Sequence, residues 1–110
     1  MDTARMINAK PSQIIIERPI PGERGLQYLA PQWVRLEPQQ ASRNAVEMHD
    51  IAASITAEYV VVIGFKDNPS VPNTDLLRGD RFFFNARMWE VLEFVDTIPG
   101  ALVASAKLMP

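Results

Sequence analysis

The only histidine of the chain, His49, lies between Glu47 and Asp50 and is the first candidate for chemistry. One imidazole and two carboxylates could bind a metal ion, but this spacing matches no known ligand pattern for zinc. The surrounding sequence is polar, so a solvated loop explains these residues better. We expect no metal and no other cofactor here.

Two further groups are reactive by type, but their spacing indicates structure. Glu90 and Glu93 could act as acid and base. Glycoside chemistry needs two carboxyl groups across a cleft, which neighbours in one strand do not provide. Arg78-Gly79-Asp80 spells an integrin-type tripeptide, but in a chain without a secretory signal it reads as a turn. The sequence has no phosphate-binding glycine loop, nucleophile elbow or dinucleotide fingerprint, so we expect no catalytic residues and no enzyme activity.

The composition predicts a single small domain with no affinity for polyanions. The chain has 110 residues, a net charge of -2 and no cysteine. A pI near 5.3 indicates no excess of basic residues that would bind nucleic acid. No stretch approaches the length of a membrane span, so we expect no membrane contact. We predict a flexible N-terminal arm over residues 1–12 and one β-barrel domain over residues 13–110.

Short strands are the elements that must position any site. The clearest spans residues 57–66, and another covers residues 32–37 up to Pro38, a residue that disfavours strands. The pattern predicts a mainly β protein, a small antiparallel β-barrel or sandwich of about six strands. Residues 39–56, between the second and third strands, are expected to form a long loop or a short helix.

The region with the strongest strand character is a predicted hairpin over residues 78–95. Asn85 tolerates a left-handed turn, so we place the reversal at residues 85–87. A bulge near Leu92 is expected, because Glu90 and Glu93 cannot otherwise share a face, and it would let Phe94 reach the core. The expected core residues are Val34, Leu36, Tyr59, Val61, Ile63, Phe82, Phe84, Trp89, Val91, Leu102 and Ala104.

The face opposite this expected core carries a candidate subunit interface. Trp33, Arg35 and Glu37 alternate with Val34 and Leu36, and aromatic residues and arginine are enriched at interface centres. Val60 and Val62 add apolar surface on the outer side of the strand over residues 57–66, so something other than solvent should cover that side. The alternative is a surface tryptophan half-covered by the loop over residues 19–31.

The order of these signals resembles the head–tail joining proteins of tailed bacteriophages, the small adaptor or stopper subunits beneath the portal. The resemblance rests on Glu17-Arg18-Pro19, on the strand from Trp33 to Pro38, and on the hairpin from Gly79 to Val91. It covers residues 14–108. The family usually has a glycine in the hairpin turn, where this chain has Asn85-Ala86-Arg87.

The resemblance implies a mechanical role in the virion neck for a subunit made in the host cytoplasm. Such subunits form a homo-oligomeric ring, six- or twelve-fold, that extends the portal channel, helps to retain the packaged genome and offers a docking face to the tail. The implied partners are a portal or adaptor protein above, a tail or tail-terminator protein below, and DNA that passes through the lumen without sequence-specific binding. A tail-terminator ring and a small OB-like or SH3-like binding module remain the alternatives.

The length of residues 39–56 exceeds what a barrel connection needs, and excess loop length usually serves function. In a ring subunit this segment could line the channel or clasp a neighbour, and we expect it to become ordered on assembly. The residues we assign to this role are Gln40, Ser42, Arg43, Asn44, Glu47, His49 and Asp50.

Overall fold

The structure is a computed structural model that describes residues 3–40, 58–95 and 98–110. Within these ranges the chain forms one α-helix and eight β-strands. The elements are α1 (Thr3–Ala9), β1 (Ser12–Ile14), β2 (Glu17–Pro19), β3 (Leu26–Tyr28), β4 (Gln32–Gln40), β5 (Glu58–Phe65), β6 (Arg81–Phe84), β7 (Arg87–Val95) and β8 (Ala101–Leu108). No helix in the described ranges is long and apolar enough to cross a membrane.

The strands form one antiparallel sheet in the order β1-β4-β5-β8-β7-β6-β2-β3, curled into a half-barrel. The curl follows from the connection between β1 and β2, which consists of Ile15 and Ile16 alone. β1 pairs with β4 and β2 pairs with β6, near opposite ends of the strand order. Two residues span only about 7 Å, so the sheet must bend until these ends approach each other.

This architecture confirms the predicted fold class, a small antiparallel β protein, with more strands than expected. The chain up to Pro19 contributes two short strands, β1 and β2, and the predicted loop over residues 19–31 contains β3. Pro38 does not end β4, which continues to Gln40. β1 pairs only with residues 32–34, so β4 has an unpaired side at Pro38 that tolerates a residue without an N–H group.

The inner face of the half-barrel carries the main core. Val34, Phe82 and Val91 are almost fully buried, as predicted, and each such side chain contributes about 1.5–3 kcal/mol through burial. Phe84 and Leu102, also predicted, are partly buried against them. The buried members of the cluster are Ile14, Ile16, Val34, Leu36, Val60, Val62, Leu76, Phe82, Trp89, Val91, Ala104 and Ala106.

The predicted register of β5 is wrong by one residue. Val60 and Val62 are fully buried in the main core, whereas Val61 and Ile63 belong to a second cluster on the outer face. Tyr59, also predicted as core, alternates with Val60 and is only partly buried. A slip of one residue exchanges the two faces of a strand, and β5 is apolar on both, so the alternation held no information about which face is inner.

The outer side of β5 is covered by α1, which confirms that something other than solvent lies there. Part of the segment expected to be a flexible arm, residues 1–12, forms α1. Ile7 of α1 has no exposed surface and packs with Ile63 and Phe65. A helix of seven residues is not stable alone in water, so this packing holds α1 in place.

The hairpin of β6 and β7 matches most of its prediction. The pairing shifts between Val91 and Glu93, which confirms the bulge at Leu92. Phe84 pairs with Arg87, so the turn is formed by Asn85 and Ala86, at φ 56° and 63°, and not by three residues. Phe94 remains 42% exposed, so its predicted place in the core is wrong.

Candidate functional site

The predicted interface residues of β4 face outward, as their alternation requires. Trp33 is 53% exposed. It forms one wall of a groove of about 380 Å³. The groove is lined by Asn8, Pro31, Gln32, Trp33, Phe65, Val71, Pro72, Asn73 and Thr74. Trp33 is therefore available to a partner, and its role at a subunit interface stays a prediction.

Arg35 and Glu37 lie on the same outer face but are engaged within the chain. Arg35 Nε donates to Glu37 Oε1, and Arg35 Nη1 donates to the carbonyl oxygen of Met6 at 3.2 Å. Lys10 Nζ lies 3.9 Å from Glu37 Oε2. These contacts join β4 to α1 and the residue that follows it, so this pair fastens the helix to the sheet.

Val60 and Val62 do not fit the interface predicted for them. Both are fully buried in the main core, with no exposed surface that another subunit could contact. Their assignment followed from the register error in β5. The apolar residues on the outer side are Val61 and Ile63, and α1 already covers them.

Most residues assigned to the channel or to neighbour clasping lie outside the described residues. These are Ser42, Arg43, Asn44, Glu47, His49 and Asp50. Gln40 is described, and it belongs to the end of β4, where it pairs with Glu58 of β5. The chain therefore leaves the sheet at Gln40 and re-enters it at Glu58, at adjacent positions in the pairing of β4 with β5.

A hollow of about 430 Å³ opens beside these ends of β4 and β5. Its floor includes Phe84 and Trp89, and Trp89 Nε1 donates to the carbonyl oxygen of Phe84 at 2.9 Å. An ion pair between Arg87 and Glu58 lies at its rim. The hollow is thus apolar at the bottom and charged at the edge.

The most strongly connected polar site was missed by the sequence analysis. Arg18 Nε and Nη2 donate to the two carboxylate oxygens of Asp80 at 2.9 and 2.8 Å. Asp80 is 1% exposed and also accepts the N–H of Leu77 at 2.7 Å. Arg18 Nη2 further donates to Asp75 at 2.8 Å. Hydrogen bonds from Asp80 and then Asp75 raise the pKa of the Arg18 guanidinium above its usual value.

This Arg18–Asp80 pair joins parts of the chain that are far apart in sequence. Arg18 is in β2, and Asp80 precedes β6, which pairs with β2. Asp75 is tied in turn to β4, because Gln32 donates to its carbonyl oxygen at 3.0 Å and accepts its N–H at 2.7 Å. The segment that precedes β6 therefore contacts both β2 and β4. These strands lie near opposite ends of the strand order, and the segment holds them together. Bidentate geometry gives such a pair directional specificity.

The integrin-type tripeptide is turn chemistry, as predicted. Gly79 has φ 90°, a conformation open to glycine, and Asp80 N donates to the carbonyl oxygen of Leu77 at 3.1 Å. Asp80 is buried against Arg18, so its carboxylate is not presented to a receptor. No local sequence signal could have revealed the pair, because Arg18 and Asp80 are 62 positions apart.

The two carboxylates first considered for acid–base chemistry both face outward. Glu90 pairs with Lys107 and Glu93 with Ser105, and the bulge at Leu92 places both on the outer face. Both line one open hollow of about 450 Å³, where they lie side by side on one strand and not across a cleft. No group of three or more histidine, aspartate or glutamate side chains is arranged to hold a metal ion in the ranges that the structure describes.

Comparison with known proteins assigns no family to the chain. No protein-family model matches the sequence, and no curated protein matches it at a significant level. Functional inference therefore rests on the geometry above and on the order of motifs in the sequence.

Proposed function

We propose that the protein is a structural subunit of the head–tail connector ring of a tailed bacteriophage, a stopper or adaptor in the virion neck. The observation that supports this most is the meeting of two motifs on which the resemblance depends. Glu17-Arg18-Pro19 and Gly79-Asp80-Arg81 are distant in sequence, and they are joined through the bidentate Arg18–Asp80 pair. Two motifs of the resemblance thus belong to one structural unit of the fold.

The proposed role is mechanical. The ring extends the portal channel, helps to retain packaged DNA and docks the tail, with a portal or adaptor protein above and a tail or tail-terminator protein below. A net charge of -2 suits a wall along which DNA slides without a tight grip on its phosphates. A curled sheet fastened by Arg18 and Asp80 suits a rigid wall.

The Trp33 groove is the surface proposed for contact between neighbours in the ring. Its tryptophan is half exposed and lies beside Pro31 and Pro72, so it offers apolar area that a neighbour could bury. Aromatic side chains in such positions dominate the energy of many interfaces. Arg35 and Glu37 lie on the same face of β4 as Trp33 and contribute by holding α1 against the sheet.

Native mass spectrometry together with negative-stain electron microscopy tests this proposal. The expected result is a closed ring whose mass is a whole multiple of the 12.4 kDa subunit. Trp33→Ala should abolish the ring and leave the unfolding transition of the subunit unchanged. Leu77→Ala, at an equally exposed site outside the groove, is the matched control and should leave the ring intact.

The proposal is contradicted if no ring forms at any concentration and DNA-filled phage heads do not retain the chain. A chain that instead binds a short peptide or a single-stranded oligonucleotide as a monomer would favour the binding-module alternative. A ring that binds tail tubes but not heads would favour a tail terminator.

A further inference from the structure

A continuous row of charged side chains crosses the outer face of the half-barrel. Residues paired directly across neighbouring strands of a sheet share one face. Glu17 pairs with Arg81, Arg81 with Glu90, and Glu90 with Lys107. The charged row therefore reads minus, plus, minus, plus over β2, β6, β7 and β8.

The two ends of this row are also alike. Glu17 pairs with Tyr28 of β3, and Lys107 pairs with Tyr59 of β5. The row thus has a tyrosine beyond each end, and α1 packs elsewhere, against β4 and β5.

The charged groups of this row form no close ion pair in the part of the chain that the structure describes. In the described ranges, the ion pairs within 4.0 Å involve other residues, and Glu17, Arg81, Glu90 and Lys107 take part in none of them. Arg81 Nε is buried without a hydrogen-bond partner there. The row differs in this respect from Arg18 and Asp80, which satisfy each other.

We infer that this face binds a second copy of the same chain about a two-fold axis that passes between Arg81 and Glu90. Reversing the row places Arg81 of one copy opposite Glu90 of the other, and Glu17 opposite Lys107. All four contacts then join opposite charges, which is the self-complementarity that a two-fold interface requires. A row with the order minus, minus, plus, plus would be self-complementary too, but a row of one sign would not.

The same axis brings an exposed aromatic residue of each copy onto the other copy. Phe83 is 62% exposed and lies two residues beyond Arg81 along β6. An axis that stacks the two outer faces and reverses the row must run parallel to β6 and β7, so it keeps each level along the strands. It therefore places Phe83 of one copy opposite the residue that pairs with Phe83 on β7, which is Met88. Met88 is half-buried in the single chain.

Each copy thus offers one phenylalanine and one methionine, and the axis matches the two. Contacts between a methionine sulfur and an aromatic ring are favourable. Phe83 of each copy is therefore expected to pack on Met88 of the other. The outer face of a curled sheet is convex, so the contact is confined to the charged row and to these two pairs, and the tyrosines remain at the rim.

This inference does not depend on the proposed function. The two-fold contact uses β2, β6, β7 and β8, whereas the proposed ring contact uses Trp33 of β4. A chain can form the dimer without forming a ring, and the reverse is also possible. The two proposals are therefore separated by testing substitutions on the two surfaces in parallel.

Sedimentation equilibrium on the full chain and its variants tests the dimer. Arg81→Glu and Glu90→Arg should each weaken dimerisation by at least about tenfold, because each places like charges opposite each other across the axis. An equimolar mixture of the two variants should dimerise to within about threefold of the unaltered chain, since every contact in the mixed dimer joins opposite charges again. Charge pairs within one chain cannot explain such a rescue, because mixing the two variants leaves the charges of each chain unchanged.

Phe83→Ala supplies a second readout that needs no change of charge. It should weaken the dimer by about tenfold and leave the unfolding midpoint unchanged, because the side chain is exposed in the single chain. Trp33→Ala is the control: it should leave the dimer intact even where it abolishes a ring. The inference is overturned if the unaltered chain remains monomeric up to about 1 mM, a weak-binding limit, or if the mixture of charge variants associates no better than each variant alone.

Discussion

The two halves of the outer face of the sheet differ in what covers them. On β5 and β8 the outer side chains include Val61, Ile63, Phe65 and Val103, and α1 packs on this cluster through Ile7. On β6 and β7 the outer side chains include Arg81, Phe83 and Glu90, and no helix of the described chain lies there. We refer to these as the covered face and the bare face.

Within this one sheet, the apolar outer face has to be covered by protein, whereas the charged outer face can remain in contact with water. An apolar face of this size left in solvent would be a liability for aggregation, and α1 removes it from water. The bare face is kept soluble by its alternating charges, which leaves Phe83 free to act in recognition. The four predictions below test this difference in order of decreasing effect.

The largest effect is expected from a matched pair of phenylalanines, one on each face. Phe65 of the covered face is 6% exposed and Phe83 of the bare face is 62% exposed. Phe65→Ala should lower the free energy of unfolding by about 3–5 kcal/mol because it leaves a cavity under α1. Phe83→Ala should lower it by less than about 0.5 kcal/mol. Equal losses in urea denaturation would show that the two faces do not differ.

The second prediction compares Asp80, whose carboxylate is hydrogen-bonded, with Glu90, whose carboxylate forms no ion pair in the described structure. Asp80→Asn removes the charge that Arg18 and the N–H of Leu77 depend on, and should cost about 2–4 kcal/mol of unfolding free energy. Glu90→Gln on the bare face should cost less than about 0.5 kcal/mol at concentrations where the chain is monomeric. A loss below about 1 kcal/mol for Asp80→Asn would mean that the pair does not fasten the half-barrel.

The third effect tests how tightly the strand under the covered face is packed. A Cβ atom on Gly64 would lie 2.5 Å from Thr74 Oγ1, and this oxygen is held by the N–H of Phe65 at 2.7 Å. Gly64→Ala should therefore cost about 1–3 kcal/mol through overpacking. Gly25→Ala is the control, because its Cβ would meet only Ile20 at 3.7 Å. Similar unfolding midpoints for the two variants would show that Thr74 can move.

The smallest effect has the opposite sign and concerns the hairpin that carries the bare face. Ala86 has φ 63°, in the left-handed region that favours glycine. Ala86→Gly should stabilise the chain by about 0.5–1 kcal/mol, because the second position of this two-residue turn suits glycine. Ala30→Gly, at an exposed position without positive φ, should not stabilise it. A lower thermal midpoint for Ala86→Gly would contradict this account of the turn.

Much of the hairpin and the outward face of Trp33 could be predicted from the sequence because local rules decide them. The spacing of Glu90 and Glu93 required a bulge, and the structure has it at Leu92. Asn85 indicated a left-handed turn, and it has φ 56°. Trp33 was placed outward because Val34 and Leu36 alternate with it, and it is exposed. In each case one polar or conformational requirement of the residues excluded the other local geometry, namely a regular strand, a different turn or the opposite face.

The tertiary structure alone decided the features that depend on distant partners. β5 is apolar on both faces, so only the position of α1 shows that Val60 is inside and Val61 outside. α1 is too short to be stable by itself, and the sequence of residues 3–9 does not reveal the surface that holds it. Arg18 and Asp80 are 62 positions apart, and no local pattern connects them. The charged row exists only because four strands adopt one register, since pairing across strands is a property of the folded sheet and not of any single segment.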